Sequence, residues 1–135
     1  MVIGEGESLV AEVVSDLSRG RLKPIYRTDS LHSLQGLPLP RWDLLDNRRF
    51  ARFHTVTVQT TRGCPNRCEF CTERFYLGAR YRMRPVAEVV EEIRSSESRR
   101  IFFADSTFAG HRTRTMTLME RMIPMKIRWL SLIHI

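Results

Sequence analysis

The sequence predicts an α/β fold in which parallel strands alternate with helices, and three observations carry that expectation. From Phe53 onward, strand-like alternation and helical apolar spacing follow one another in the order strand, helix, strand, helix, strand. Elements of these lengths in this order pair in parallel through right-handed crossovers, which is how a β/α barrel opens. Second, the cysteine-bearing stretch after the first of these strands and Asp105-Ser106-Thr107-Phe108 after the second stand at C-terminal strand ends, where such folds collect their chemistry. Third, the chain starts with a short strand that enters a helix through a glycine-rich turn.

Taken in order, Val2-Ile3-Gly4-Glu5-Gly6-Glu7 reads as that strand end and turn. Leu9, Val10, Val13, Val14 and Leu17 then recur at helical spacing until Gly20 closes the helix. The Gly-x-Gly of the turn lacks the third glycine of a dinucleotide fingerprint, so by itself it supports only a strand-to-helix turn. Leu37-Pro38-Leu39-Pro40-Arg41-Trp42-Asp43 carries prolines in alternate positions, which holds the path extended and forbids helix. We read it as an interdomain linker, docked through Trp42, Leu44 and Leu45. Thr55 to Thr60 alternates as a strand does, and the cysteine loop follows directly.

Pro85 opens the next helix, with Val86, Val89, Val90 and Ile93 as its buried stripe and Glu88, Glu91 and Glu92 on its wet side. Arg100 to Ala104 supplies a second strand, with aromatic Phe102 and Phe103. Met116, Met119, Met122 and Ile123 mark a third helix stopped by Pro124, and their spacing reads as core packing rather than a cofactor box. Lys126 to Leu130 is the third strand of the series.

The chain has three cysteines, all inside Thr61-Arg62-Gly63-Cys64-Pro65-Asn66-Arg67-Cys68-Glu69-Phe70-Cys71. Such clustering points to a shared ligand role. The spacing Cys-x-x-x-Cys-x-x-Cys puts three thiolates on one loop, able to hold three corners of an iron–sulfur cube and leave a fourth iron without one. Electron-transfer clusters ordinarily take four cysteines, and the sequence offers no fourth. Zinc would need a further ligand, for which His54 and His111 are the candidates, and the spacing lacks the usual two-pair layout. An odd count and no secretory leader argue against a disulfide framework, so a reducing cytoplasm is the expected setting.

These residues resemble the radical S-adenosylmethionine (radical SAM) superfamily, whose signature is this spacing with an aromatic residue just before the last cysteine, here Phe70. The longer string Gln59 to Cys71, with Tyr81-Arg82-Met83-Arg84-Pro85 after it, is most similar to the subgroup carrying an N-terminal cobalamin-binding domain. The resemblance implies a fold made of the end of a Rossmann-like cobalamin-binding domain, followed by the first βα units of a radical SAM partial TIM barrel. It divides the chain into a cobalamin-domain remnant over 1–36, a linker over 37–52 and the start of the barrel over 53–135. A full eight-unit barrel takes about 250 residues, so the expectation is a fragment. Leu132-Ile133-His134-Ile135 departs from the family's pattern and reads as the spurious tail of a truncated frame.

The resemblance further implies that Cys64, Cys68 and Cys71 ligate a [4Fe–4S] cluster whose open iron is chelated by S-adenosylmethionine, for cleavage to a 5′-deoxyadenosyl radical. It places Phe70 near the adenine, where the alternative is a burial anchor for the loop. It places Asp105 toward the methionine amino group, where the alternative is a helix cap; relatives often carry two acidic residues here, and Ala104 stands in the first position. Gly4, Glu5 and Gly6 match a stretch near the nucleotide tail of cobalamin. Arg82 and Arg84 match a recurring arginine pattern that braces the cluster loop or meets a carboxylate, with a solvated surface role as the alternative. Tyr76 and Tyr81 close the loop around Gly78, and His54 and His111 are structural or exposed.

The net charge of +7 comes mainly from arginine. It raises the question of anionic partners, but no nucleic-acid-binding signature accompanies it and nucleic acid is not expected. The 42% apolar content supports a folded core, and no apolar run is long enough to span a bilayer. The leading expectation is an enzyme of cobalamin-linked methyl transfer or related radical chemistry, acting on a small molecule and served by a low-potential donor such as flavodoxin or ferredoxin. Two other readings stand beside it. One is a radical SAM methylthiotransferase acting on tRNA or protein, whose usual second cysteine set is absent. The other is a zinc-stabilised nucleic-acid-binding module.

Overall fold

The computed structural model describes residues 1–44 and 55–132. Leu45 and His54, with all of the expected linker after Leu44 and the last three residues of the expected tail, lie outside the described residues. The chain separates into two compact units, Met1–Ser33 and Leu34–Ile135. Both are built on parallel strands joined by helices, so the mixed α/β expectation holds.

In the first unit, strand β1 (Val2–Ile3) leads into helix α1 (Val10–Ser18), and strand β2 (Tyr26–Arg27) returns parallel to β1. Gly4 sits at φ +93°, and a Cβ there would stand 2.1 Å from the Thr28 carbonyl oxygen, so glycine is required where the turn passes the neighbouring strand. Tyr26 is buried and its hydroxyl donates to Asp16 Oδ2 at 2.9 Å, pinning β2 under α1. The apolar spacing of α1 correctly announced a helix but not its burial. Leu9, just before it, is buried, whereas Val10, Val14 and Leu17 are each more than half exposed.

In the second unit, strands β3 (Thr55–Val58), β6 (Arg100–Phe103) and β7 (Arg128–Ser131) form a parallel sheet in the order β3-β6-β7. Helices α3 (Val86–Ser95) and α4 (Arg112–Met122) make the two crossovers. Val58 pairs with Phe103 and Phe103 with Ser131, so the C-terminal ends of all three strands are level. The core joins the sheet residues Val58, Ile101 and Phe103 to Val89, Val90 and Ile93 of α3 and Leu118 and Met122 of α4. Phe108 completes it, stacked on Phe103 at 4.8 Å and 5.3 Å from the ring of Trp129. Aromatic pairs at such spacing add about 0.5–1.5 kcal/mol beyond area burial.

Several particulars differ from expectation. Glu92 is not on a wet face: it is buried in an ion pair with equally buried Arg84, whose Nη1 also donates to the Gln59 carbonyl at 3.0 Å. Periodicity alone put Glu92 outside because its partner lies on a different segment. Among the methionines, Met122 is core and Met119 packs against it, but Met116 is about half exposed. Between β3 and α3 runs a small antiparallel pair, β4 (Thr61–Arg62) with β5 (Arg82–Met83), which encloses the cysteine loop and short helix α2 (Glu73–Leu77).

Candidate functional site

The site starts from the level ends of β3 and β6. Because Val58 pairs with Phe103 in parallel register, the residues two positions further on, Thr60 and Asp105, come side by side. Asp105 is 1% exposed. Its Oδ1 accepts from the Thr60 and Thr61 amides at 2.6 and 2.9 Å, and its Oδ2 accepts from the Thr60 hydroxyl at 2.6 Å. Burial pushes the Asp105 carboxyl above its ordinary value, opposed by those hydrogen bonds and by the charge of Arg114. Arg114, from the first turn of α4, spans the same junction. Its Nη2 donates to the Thr60 and Arg84 carbonyls at 3.0 Å each, and its Nη1 to the Thr60 hydroxyl at 3.2 Å. Thr60 Oγ1 thus accepts from a cation and donates to a carboxylate. Together with the Arg84–Glu92 pair, these groups fix the point where the chain leaves β3 for the cysteine loop.

On that floor, Gly63 turns at φ +84°, where a Cβ would meet the Arg80 carbonyl oxygen at 2.3 Å, so the loop's first turn passes directly against its return path. The Cys64 amide then donates to the Gly78 carbonyl at 3.2 Å. Tyr81 closes the ring from the other side, its hydroxyl donating to the Thr107 carbonyl at 2.9 Å, and burial pushes that phenol above its ordinary value. The expectation that Tyr81 closes the loop is met, whereas Tyr76 is exposed.

Cys64, Cys68 and Cys71 open together on one cleft of about 380 Å³, which Arg67, Arg74 and Phe75 also line. Cys64 is buried, Cys71 half-buried and Cys68 exposed, all three as free thiols. Among the described residues no three His, Cys, Asp or Glu side chains are grouped so as to hold a metal ion. The thiols share a cavity without converging on one point. Of the candidates for a fourth ligand, His54 lies outside the described residues. His111 caps α4, its Nδ1 accepting from the Arg114 amide at 3.3 Å. In donor chemistry the cleft suits an iron–sulfur cluster: three soft thiols on one short loop, with space beside them and no fourth cysteine in the chain.

Phe70 is 90% exposed, so it does not anchor the loop by burial. Asp105 caps no helix, and both its oxygens are engaged by the chain itself; neither it nor Phe70 is among the residues that line the cleft. Glu5 is buried in the first unit, where its Oε2 accepts from the His32 amide at 2.7 Å. Sequence reasoning passed over Thr60, Arg114 and Thr107. Register was the available signal for the first, since two parallel strands ending in Val58 and Phe103 bring their following residues together. Arg114 carried no such signal, being one arginine among many.

No protein-family model matches the chain. Among curated proteins, the bacteriochlorophyllide d C-12(1)-methyltransferase of Chlorobaculum tepidum is 28% identical over 137 residues, which cover 96% of this chain and 30% of that protein. An uncharacterized methyltransferase of Pyrococcus horikoshii is 31% identical over 142 residues, covering 90% of this chain and 31% of its own length. The present chain therefore spans less than a third of the length of these relatives. Among solved structures, the radical S-adenosylmethionine methyltransferase TsrM from Kitasatospora setae, solved with tryptophan and a SAM analogue bound, superposes with a TM-score of 0.72. It is 21% identical, over 95% of this chain and 31% of that one, and supports the fold.

Proposed function

We propose that this chain, a member of the radical SAM superfamily in the subgroup associated with a cobalamin-binding domain, is the part of a methyl-transferring enzyme that holds the [4Fe–4S] cluster and S-adenosylmethionine. The observation that carries this reading is the single cleft shared by three thiols at the C-terminal ends of parallel strands. Cys64, Cys68 and Cys71 would hold the cluster and leave one iron free for the amino and carboxylate groups of S-adenosylmethionine. When bound, the cluster supplies the electron that splits the sulfonium carbon–sulfur bond into methionine and a 5′-deoxyadenosyl radical.

The chain's own residues contribute position and shielding. Asp105 and Arg114 hold the start of the loop to the strand ends, and in this reading Asp105 acts through that junction because both its oxygens are engaged. Phe70, next to Cys71 and free of packing, is available to lie against the adenine. Arg67 and Arg74 outnumber Glu69 in the cleft's lining and offer cations suited to the cofactor's carboxylate. The relatives' names favour methyl transfer among the reactions open to such a radical.

In the same reading, residues 1–36 belong to the end of a cobalamin-binding domain, with Gly4, Glu5 and Gly6 on its cofactor side, 37–52 to a linker and 53–135 to the opening of the barrel. The complete protein would take a small-molecule substrate and an electron from a flavodoxin or ferredoxin. Among the described residues no helix is long and apolar enough to cross a membrane, and free thiols favour a reducing cytoplasm.

Anaerobic reconstitution with iron and sulfide tests the ligand assignment. About four irons and four sulfides per chain are expected, with loading lost on changing any of Cys64, Cys68 or Cys71 to alanine. One tightly held zinc per chain, with no cluster formed by folded protein, would overturn the reading.

A further inference from the structure

The segment leaving β6 reaches the cysteine loop through more than Asp105. The Ser106 hydroxyl donates to Glu73 Oε2 at 2.6 Å, just beyond Cys71, and the Thr107 hydroxyl lies 3.0 Å from Cys64 Sγ. Both ends of the second contact are fixed by separate bonds. The Thr107 carbonyl accepts from the Thr61 hydroxyl at 3.2 Å and the Tyr81 hydroxyl at 2.9 Å, while the Cys64 amide is tied to the Gly78 carbonyl. Cys64 is also the buried member of the three cysteines, so water competes less for its sulfur than for that of Cys68.

We infer that Thr107 is a positioning residue that donates a hydrogen bond to the Cys64 thiolate and thereby makes the cluster easier to reduce. The inference rests on the reading that Cys64 is a cluster ligand. The Thr107 hydroxyl has one proton and two acceptors in reach, Cys64 Sγ and the Ser106 carbonyl at 2.8 Å. An ionised sulfur draws the proton, because hydrogen bonds to charged acceptors are about twice as strong as neutral ones. A donor aimed at a ligand sulfur stabilises the extra negative charge of the reduced cluster, a lever by which proteins set cluster potentials.

The test compares the wild-type chain with Thr107→Val, which keeps the shape and removes the donor, and Thr107→Ser, which keeps the donor. Each is reconstituted anaerobically and titrated with a reductant while the reduced cluster is followed by electron paramagnetic resonance. For Thr107→Val the equilibrium constant for reduction is expected to fall by roughly three- to tenfold, tenfold being about 59 mV for one electron. Thr107→Ser is expected to stay near wild type. Should Thr107→Val not fold, Thr107→Ala replaces it with the same expectation. Equal potentials in all loaded, folded proteins would overturn the inference and leave the ligand assignment standing. A wild-type chain that binds no cluster would overturn the assignment, and the inference with it.

Discussion

The two faces of the loop junction differ in kind. Below it, Thr60, Asp105, Arg84 and Glu92 are all buried, and apart from Arg84 Nε, which has no partner among the described residues, their side chains join one hydrogen-bonded network with Arg114. Above it, Cys68 and Phe75 are exposed at an open cleft, and Phe70, next to Cys71 in the chain, is exposed outside the cleft's lining. Buried polar networks cost stability when broken, whereas exposed side chains cost almost nothing to change. The floor is therefore where mutation unfolds the protein, and the rim is where mutation alters what it binds.

The largest expected effect comes from Arg84→Ala, which strands Glu92 as a buried, unpaired carboxylate. Loss of about 3–5 kcal/mol is expected in urea unfolding, and the pair exchange Arg84→Met with Glu92→Leu should recover most of it. If Arg84→Ala costs no more than a surface change, the floor is not a coupled unit.

Asp105→Asn comes next, at about 1–3 kcal/mol near neutral pH, because the amide cannot accept from both backbone N–H groups and the Thr60 hydroxyl at once. Its pH dependence sharpens the point. The Asp105 carboxyl is raised in the fold, so its contribution to stability is fully present below the unfolded-state value and is lost as pH rises through the folded one. The stability gap between wild type and Asp105→Asn should accordingly widen as pH falls through that window. A gap that narrows in acid would show the carboxyl to be lowered instead.

Gly63→Ala attacks the join between floor and rim. A Cβ at 2.3 Å from the Arg80 carbonyl, on a left-handed backbone, forces the loop open. Cluster loading should drop several-fold while circular dichroism of the sheet and helices is retained. Loading at the wild-type level would show that the loop's closure is not needed to bring the thiols together.

The smallest effect on stability belongs to Phe70→Ala, within about 0.5 kcal/mol for so exposed a side chain. Its expected signature is functional: S-adenosylmethionine affinity weaker by roughly three- to tenfold, the value of one aromatic contact. Unchanged affinity, measured by equilibrium dialysis on loaded protein, would remove Phe70 from the rim's working parts.

The same division explains what could be read in the sequence. The parallel strands and their crossovers were legible because Val58, Val89, Ile93, Phe103 and Met122 stand in segments that repeat with the periods of strand and helix. The cysteine loop was legible because its ligand spacing is local. The floor was legible only in part: the resemblance had Arg84 bracing the loop or meeting a carboxylate, but Glu92 as its partner and the contact of Arg114 with Thr60 arise only on folding, and neither spacing belongs to one element. The β4–β5 pair escaped for a related reason: two residues on each strand are too few to show alternation. The stripe of α1 carried a different lesson, because Val10, Val14 and Leu17 have helical spacing without being buried in the first unit.

The central claim is that the cleft holds a cluster with one iron left open for a ligand. Electron paramagnetic resonance of the anaerobically reconstituted and reduced chain, with and without S-adenosylmethionine, tests it most directly. A four-iron signal that changes when S-adenosylmethionine is added is the predicted result, and a four-iron signal identical in both samples would contradict it.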